Sequence, residues 1–231
     1  MQQTTFRQLF DYDTWTYTFL LGDPASGEAI LIDPVQGKID RDLRLLKELE
    51  LELVYALDTH VHADHITGAG LLREKTGCRT GISHHAGIGC ADIPLHENDI
   101  IRFGSHEIRV VETPGHTDTC LSYLFDDMAF TGDALFIRGC GRTDFQSGDA
   151  GRLYDSIHEK LFVLPDHTKV YPGHDYRGMT VSTMGEEKRF NPRLTLSRTA
   201  FVELMANLDL PDPKHMHEAI PANLACGESD A

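Results

Sequence analysis

Residues 58–65 read Asp58-Thr59-His60-Val61-His62-Ala63-Asp64-His65, directly after the apolar run Val54–Leu57. Neighbouring imidazoles disfavour one another's protonation, so a group this dense suits neutral rings gathered around a metal ion. Three further polar motifs also follow short apolar runs. Thr113-Pro114-Gly115-His116-Thr117-Asp118 comes after Ile108–Val111, Thr131-Gly132-Asp133 after Met128–Phe130, and Pro172-Gly173-His174-Asp175-Tyr176 after Lys169–Tyr171. Taken singly, these are weak signals. A lone histidine such as His116 is ordinarily a satisfied surface residue, and a Gly-Asp pair is ordinarily a turn. All four in order, each at the end of a strand, point to one metal site at a sheet edge, where α/β proteins gather their ligands.

Working outward, Trp15–Leu21, Ala29–Ile32 and Leu121–Phe125 read as further strands. Ile39–Leu51, Ile66–Lys75, Leu153–Phe162 and Thr199–Leu208 carry helical spacing. Strands and helices are interspersed throughout, which is mixed α/β. With 231 residues, of which 41% are apolar, one domain over residues 1–231 is expected. Residues 195–231 are expected to form a short C-terminal helix and a Pro-rich tail packed on it.

Lys plus Arg number 21 against 36 Asp plus Glu, a net charge of −15. That balance disfavours nucleic acid and anionic membrane as partners, and an anionic substrate would need a local basic pocket. There is no apolar run long enough to span a membrane. The N-terminal stretch lacks the pattern of a signal or transit peptide, so the cytoplasm is the expected location. The five cysteines are odd in number and contain no CxxC. Neither a disulfide framework nor a zinc ribbon is expected, and free thiols suit a reducing compartment.

The order of the four motifs resembles that of the metallo-β-lactamase superfamily over almost the whole chain. The resemblance implies an αββα sandwich with metals between loops at one edge of two packed sheets. Positions matching His60, His62 and His116 would form one site, those matching Asp64, His65 and His174 a second, and Asp133 would bridge them. Three segments, DTHVHADHITGAGLL, GCGRTDFQSGD and HDYRGMTVSTMGEEKRFNPRLT, further resemble the persulfide dioxygenases, relatives of glyoxalase II. That resemblance implies one Fe(II) per chain on His60, His116 and Asp133, with the second-site positions holding no metal. It implies oxidation of glutathione persulfide by O2 and water to sulfite and glutathione. It also places glutathione contacts at Arg142 and Tyr176 and implies a tendency to form a homodimer.

The chemistry gives this a reason. Two imidazoles and one carboxylate on one face of iron leave positions open for O2 and substrate, whereas zinc has no accessible redox change. One ligand charge leaves Fe(II) with a net positive charge that favours an anionic persulfide. Metal-bound histidines usually donate their second N–H to a carboxylate, and Asp58 and Asp175 are the candidates. His62, Asp64, His65 and His174 are expected to form a hydrogen-bonded network beside the metal. Arg177, Lys188 and Arg189 are candidates for added positive potential. Cys140 reads as a buried structural thiol, and His84, His85 and His96 read as surface residues. The main rival is a glyoxalase II-type dinuclear hydrolase of glutathione thioesters. Ala63 opposes it, because that family carries a bulky aromatic there, as does the short stretch beyond Pro192-Arg193-Leu194. A superfamily nuclease is disfavoured by the charge, and a non-enzymatic sensor by the lack of an appended reading module.

Overall fold

The structure, a computed structural model, describes residues 4–211 and 215–227. Among these, one six-stranded sheet runs β1 (Thr5–Asp11), β2 (Thr16–Asp23), β3 (Glu28–Ile32), β4 (Glu52–Leu57), β5 (Arg79–Ser83) and β6 (Ile93–Leu95). The other comprises β7 (Ile100–Phe103), β8 (His106–Glu112), β9 (Leu121–Phe125), β10 (Met128–Gly132), β11 (Lys169–Pro172) and β12 (Ser182–Thr183). β3 to β6 pair in parallel, as do β10 and β11, and the remaining pairings are antiparallel.

Strand periodicity decides the layers, because successive side chains face opposite sides of a sheet. Phe19, Leu21, Ile30 and Ile32 turn inward and meet Val110, Tyr123, Phe125 and Phe130 of the second sheet. Their neighbours Leu20, Ala29 and Leu31 turn outward against α1 (Ile39–Glu48) and α2 (Ala69–Thr76), through Ile39, Leu46 and Leu72. On the far face, Ala129 and Val170 pack beneath α3 (Ala150–Ser156), α4 (Met184–Phe190) and α5 (Arg198–Ala206), which contribute Leu153, Met184 and Phe201. The result is a helix–sheet–sheet–helix sandwich. Strands covered on both faces need continuous apolar runs, which is what AILI in β3 supplies. No helix of the described residues is long and apolar enough to cross a membrane.

The structure departs from the sequence expectation in four places, the first being the helix α4, which the sequence pattern did not suggest. β1, β5, β6, β7 and β12 were not expected; they are short or mixed in polarity and take strand form from their neighbours rather than from their own pattern. The expected surface tail instead contains α6 (Met216–Leu224), with Pro221 inside it and Ala219 and Asn223 buried. Residues 212–214 and 228–231 of that tail lie outside the described residues. Finally, Cys90 and Cys226 form a disulfide across 136 residues, which corrects the expectation of free thiols throughout. Sequence spacing carries no sign of this pairing, because it depends on α6 folding back beside the segment after β5. Cys78, Cys120 and Cys140 are free and buried.

Asp23, at the end of β2, ties the two sheets together. Its Oδ2 accepts the Ser105 amide at 2.8 Å and the Ser105 hydroxyl at 2.9 Å, and its Oδ1 accepts the Ala25 amide at 2.9 Å. These donors, the Ser105 amide foremost, hold its carboxyl down to about 2. A carboxyl depressed on folding adds stability above its unfolded value of about 3.9, and that stability is lost as pH falls through the folded value. Asp23→Asn should therefore be less stable than the parent in urea near neutral pH. The gap should close as pH falls from about 4 toward 2; a gap that does not change with pH would contradict this role.

Candidate metal centre

Parallel packing brings the ends of β3, β4, β8, β10 and β11 to one edge, and the loops that leave them carry the polar residues. Two glycines make the approach close enough. Gly132 has φ +48°, and a Cβ there would lie 2.6 Å from Thr59 Oγ1. Gly115 has φ +139°, and a Cβ there would collide with the backbone of Leu153. Both positions therefore require glycine.

His60, His116 and Asp133 each present a ligand atom within 4.8 Å of the other two. The tautomers are set from behind. His60 Nδ1 donates to Thr59 Oγ1 at 3.0 Å, and the Thr59 hydroxyl in turn donates to Asp33 Oδ2 at 2.9 Å. His116 Nδ1 donates to the Arg142 carbonyl at 2.6 Å. Both rings thus keep an Nε2 lone pair, and His116 Nε2 lies 3.6 Å from Asp133 Oδ2. Burial, together with nearby His62, holds the His60 imidazole well below its ordinary value, so it is a neutral donor. Two neutral nitrogens and one carboxylate oxygen, each oriented by a hydrogen bond elsewhere, fit a divalent metal.

Beside this group runs a hydrogen-bonded chain. His174 Nδ1 donates to Asp133 Oδ1 at 2.8 Å, and its Nε2 donates to Asp64 Oδ2 at 2.9 Å, where His65 Nδ1 also meets Asp64 at 2.8 Å. Burial opposes charge on His174, but Asp133 and then Asp64 outweigh it and raise the ring well above its ordinary value. Burial likewise favours a neutral Asp133, yet His174, followed by His60 and His116, holds its carboxyl well below the usual range. His62, Asp64 and His65 also bring ligand atoms within 4.8 Å of one another. His62 Nδ1 and His65 Nε2 are buried with no partner among the described residues. Burial pulls His62 down, but Asp33, Asp58 and Asp64 reverse this and lift it to about 9.

Asp58 does not reach His60. Its oxygens accept the Thr67 hydroxyl at 2.8 and 2.9 Å, and Oδ1 lies 3.8 Å from His62 Nε2. Burial pushes its carboxyl up to about 7. Asp175 caps a turn, accepting the amides of Arg177 and Met179 at 2.8 and 2.7 Å. The carboxylate behind the first metal group is instead Asp33, which sequence reasoning missed; its signal was an acid at the end of the buried strand β3. Asn223 was missed as well. Its Nδ2 donates to the carbonyls of His62 and His65, and its Oδ1 accepts the Thr67 amide, each at 2.8 Å. The C-terminal helix thus pins the metal loop from outside.

A cavity of about 560 Å³ opens over Asp133 and His116 and is lined by Trp15, Phe136, Arg142, Tyr176 and Arg177. Ala63 also lines it, which leaves space that a larger side chain would fill. The Arg142 guanidinium binds both oxygens of Asp144 at 2.7 Å and the Pro211 carbonyl at 2.7 Å, and stacks over Phe145. Tyr176 lies parallel to the His174 ring at 6.0 Å. Lys188 and Arg189 are directed elsewhere, to Asp166 and Phe190 respectively. Burial raises the Cys140 thiol, which suits a structural rather than a reactive group.

Thr59→Val removes the relay from His60 to Asp33 at constant side-chain volume. Metal affinity should fall about 10- to 100-fold in a chelator competition assay; affinity equal to that of the parent would contradict the relay.

Residues 16–174 match the metallo-beta-lactamase superfamily. The chain is 54% identical over 224 residues to persulfide dioxygenase ETHE1, mitochondrial, of Mus musculus, covering 96% of this chain and 88% of that one. The crystal structure of ETHE1 from Myxococcus xanthus matches with a TM-score of 0.95 at 53% identity, covering 97% of this chain and 100% of that one. A hydroxyacylglutathione hydrolase of Rhodopseudomonas palustris is 38% identical over 177 residues, 73% of this chain and 66% of that one. The sandwich, the ligand loops at its edge and this near full-length agreement place the chain in one family: it belongs to the metallo-β-lactamase superfamily and, within it, to the persulfide dioxygenases.

Proposed function

We propose that the protein oxidises glutathione persulfide with O2 and water to glutathione and sulfite, at one Fe(II) held by His60, His116 and Asp133. The observation that carries this reading is the pairing of Asp133 with His174. Both nitrogens of His174, a residue that a second ion would need as a ligand, are engaged by carboxylates, Nδ1 with Asp133 Oδ1 at 2.8 Å and Nε2 with Asp64 Oδ2 at 2.9 Å. One Asp133 oxygen and the Nε2 atoms of His60 and His116 remain for one ion. Bound Fe(II) supplies the redox steps that let O2 react with the persulfide sulfur, steps that zinc cannot supply.

The chain's own residues supply position and charge. Thr59, Asp33 and the Arg142 carbonyl hold the two ligand rings in the required tautomer. The cavity receives the glutathione moiety. Its two carboxylates call for cations: Arg177 lies on the lining, and Arg142 presents a fork already matched to a carboxylate by Asp144. A glutathione carboxylate would take the place of Asp144 in that fork, and the Tyr176 phenol would meet the peptide backbone. Phe136 and Trp15 add apolar surface to a lining that is otherwise mixed in polarity.

A second reading, a dinuclear hydrolase of glutathione thioesters, is favoured by one observation. His65 Nε2 is buried with no partner among the described residues, as a ligand awaiting another ion would be. We infer a cytoplasmic location from the free buried thiols Cys78, Cys120 and Cys140; the Cys90–Cys226 disulfide is the observation against it. A homodimer is the assembly that the family resemblance implies, and light scattering tests it.

The activity test is oxygen uptake by iron-loaded protein on addition of glutathione persulfide. Uptake should be matched mole for mole by sulfite, with no thioester hydrolysis. Replacing His60, His116 or Asp133 by Ala should remove both iron and turnover. Full activity in any one of these variants, or thioester hydrolysis without oxygen uptake, would overturn the assignment.

A further inference from the structure

We propose that His84, His96 and Glu112, with His85 as a fourth donor, form a separate metal site for a borderline divalent cation such as Zn2+, and that this ion bridges the two sheets. His84 follows β5 and His96 follows β6, both in the first sheet, whereas Glu112 ends β8 in the second. His84, His96 and Glu112 each offer a ligand atom within 4.8 Å of the others. The cluster shares no residue with the iron site.

The donors are already gathered. The His84 ring lies 4.0 Å from that of His96 and 3.8 Å from that of His85, centroid to centroid. His84 Nδ1 meets the Leu95 carbonyl at 3.2 Å, a bond that keeps the proton on Nδ1 and leaves Nε2 as a lone pair. Glu112 Oε1 lies 3.5 Å from the protonated His84 Nδ1 and helps to orient that ring, while its Oε2, 3.8 Å from His85 Nε2, is the oxygen left for the ion. Lys160 binds the neighbouring Glu97 carboxylate at 3.0 Å and so offsets that charge, leaving Glu112 as the anionic member. Imidazoles with one carboxylate suit zinc, nickel or copper, whereas magnesium and calcium take oxygen donors throughout. The residues are half-buried or exposed, so the ion would exchange with solvent after folding.

The test titrates Zn2+ into iron-loaded protein, counting both metals and recording thermal unfolding. About one further zinc per chain is expected, with iron retained and the melting temperature raised, since an ion that binds only the folded state stabilises it. His84→Ala/His96→Ala should lose both the extra zinc and the thermal shift while keeping its iron. Glu112→Gln should weaken zinc binding at least about tenfold, as expected for losing the charged ligand. The proposal is overturned if the double variant binds zinc like the parent, or if each zinc taken up displaces an iron.

Discussion

The imidazole of His174 sits between two carboxylates, 2.8 Å from Asp133 and 2.9 Å from Asp64, and the whole centre is arranged around it. The three residues come from the loops after β11, β10 and β4, so one buried ring locks three strand ends of the two sheets together. The sandwich core behind it, from Phe19 and Ile32 to Phe130, fixes where those strands end. The tie also divides labour among the ligands. Asp133 gives one oxygen to His174 and turns the other toward His116 Nε2 at 3.6 Å. Asp64 is drawn into the chain with His65. With both nitrogens held by carboxylates, the His174 ring has no lone pair to offer an ion in this arrangement.

The cavity over the site gathers four arginines within an acidic chain, beside four aspartates, Asp13, Asp64, Asp133 and Asp175. The chain carries −15 overall, yet the cavity over the metal group is lined by Arg138, Arg142, Arg177 and Arg193. Three of these are engaged by neighbours: Arg138 by Glu187, Arg142 by Asp144, and Arg193 by the Cys140 carbonyl. Such pairing fixes long side chains in place before a substrate arrives, which lowers the ordering cost on binding. An acidic protein can in this way present cations at one place and repel polyanions elsewhere.

The most legible parts of the sequence were those whose signal is local. DTHVHADH after an apolar run, and Gly-Asp or Gly-His at later strand ends, carry their chemistry in adjacent residues, and the buried strands β3 and β10 announce themselves by apolar content. What failed to show depends on distant partners. Thr59 is one residue from His60, but its use as a relay requires Asp33, 26 residues earlier. Asn223 binds carbonyls 158 and 161 residues away. The Cys90–Cys226 pairing and α6 share that dependence, because the apolar pattern of the tail is too weak to suggest a helix without the loop it covers. Asp58 and Asp175 show the converse: sequence proximity to a histidine suggested contact with the metal ligands, and the backbone turns each of them elsewhere.

The most direct test of the account is anomalous diffraction at the iron edge from crystals of the iron-loaded protein. A single peak per chain among His60, His116 and Asp133, with His174 still between Asp133 and Asp64, is the expected result. A second peak of comparable height beside His62, Asp64 and His65, with His174 released from Asp133, would contradict the single-metal centre and return the site to the dinuclear hydrolases.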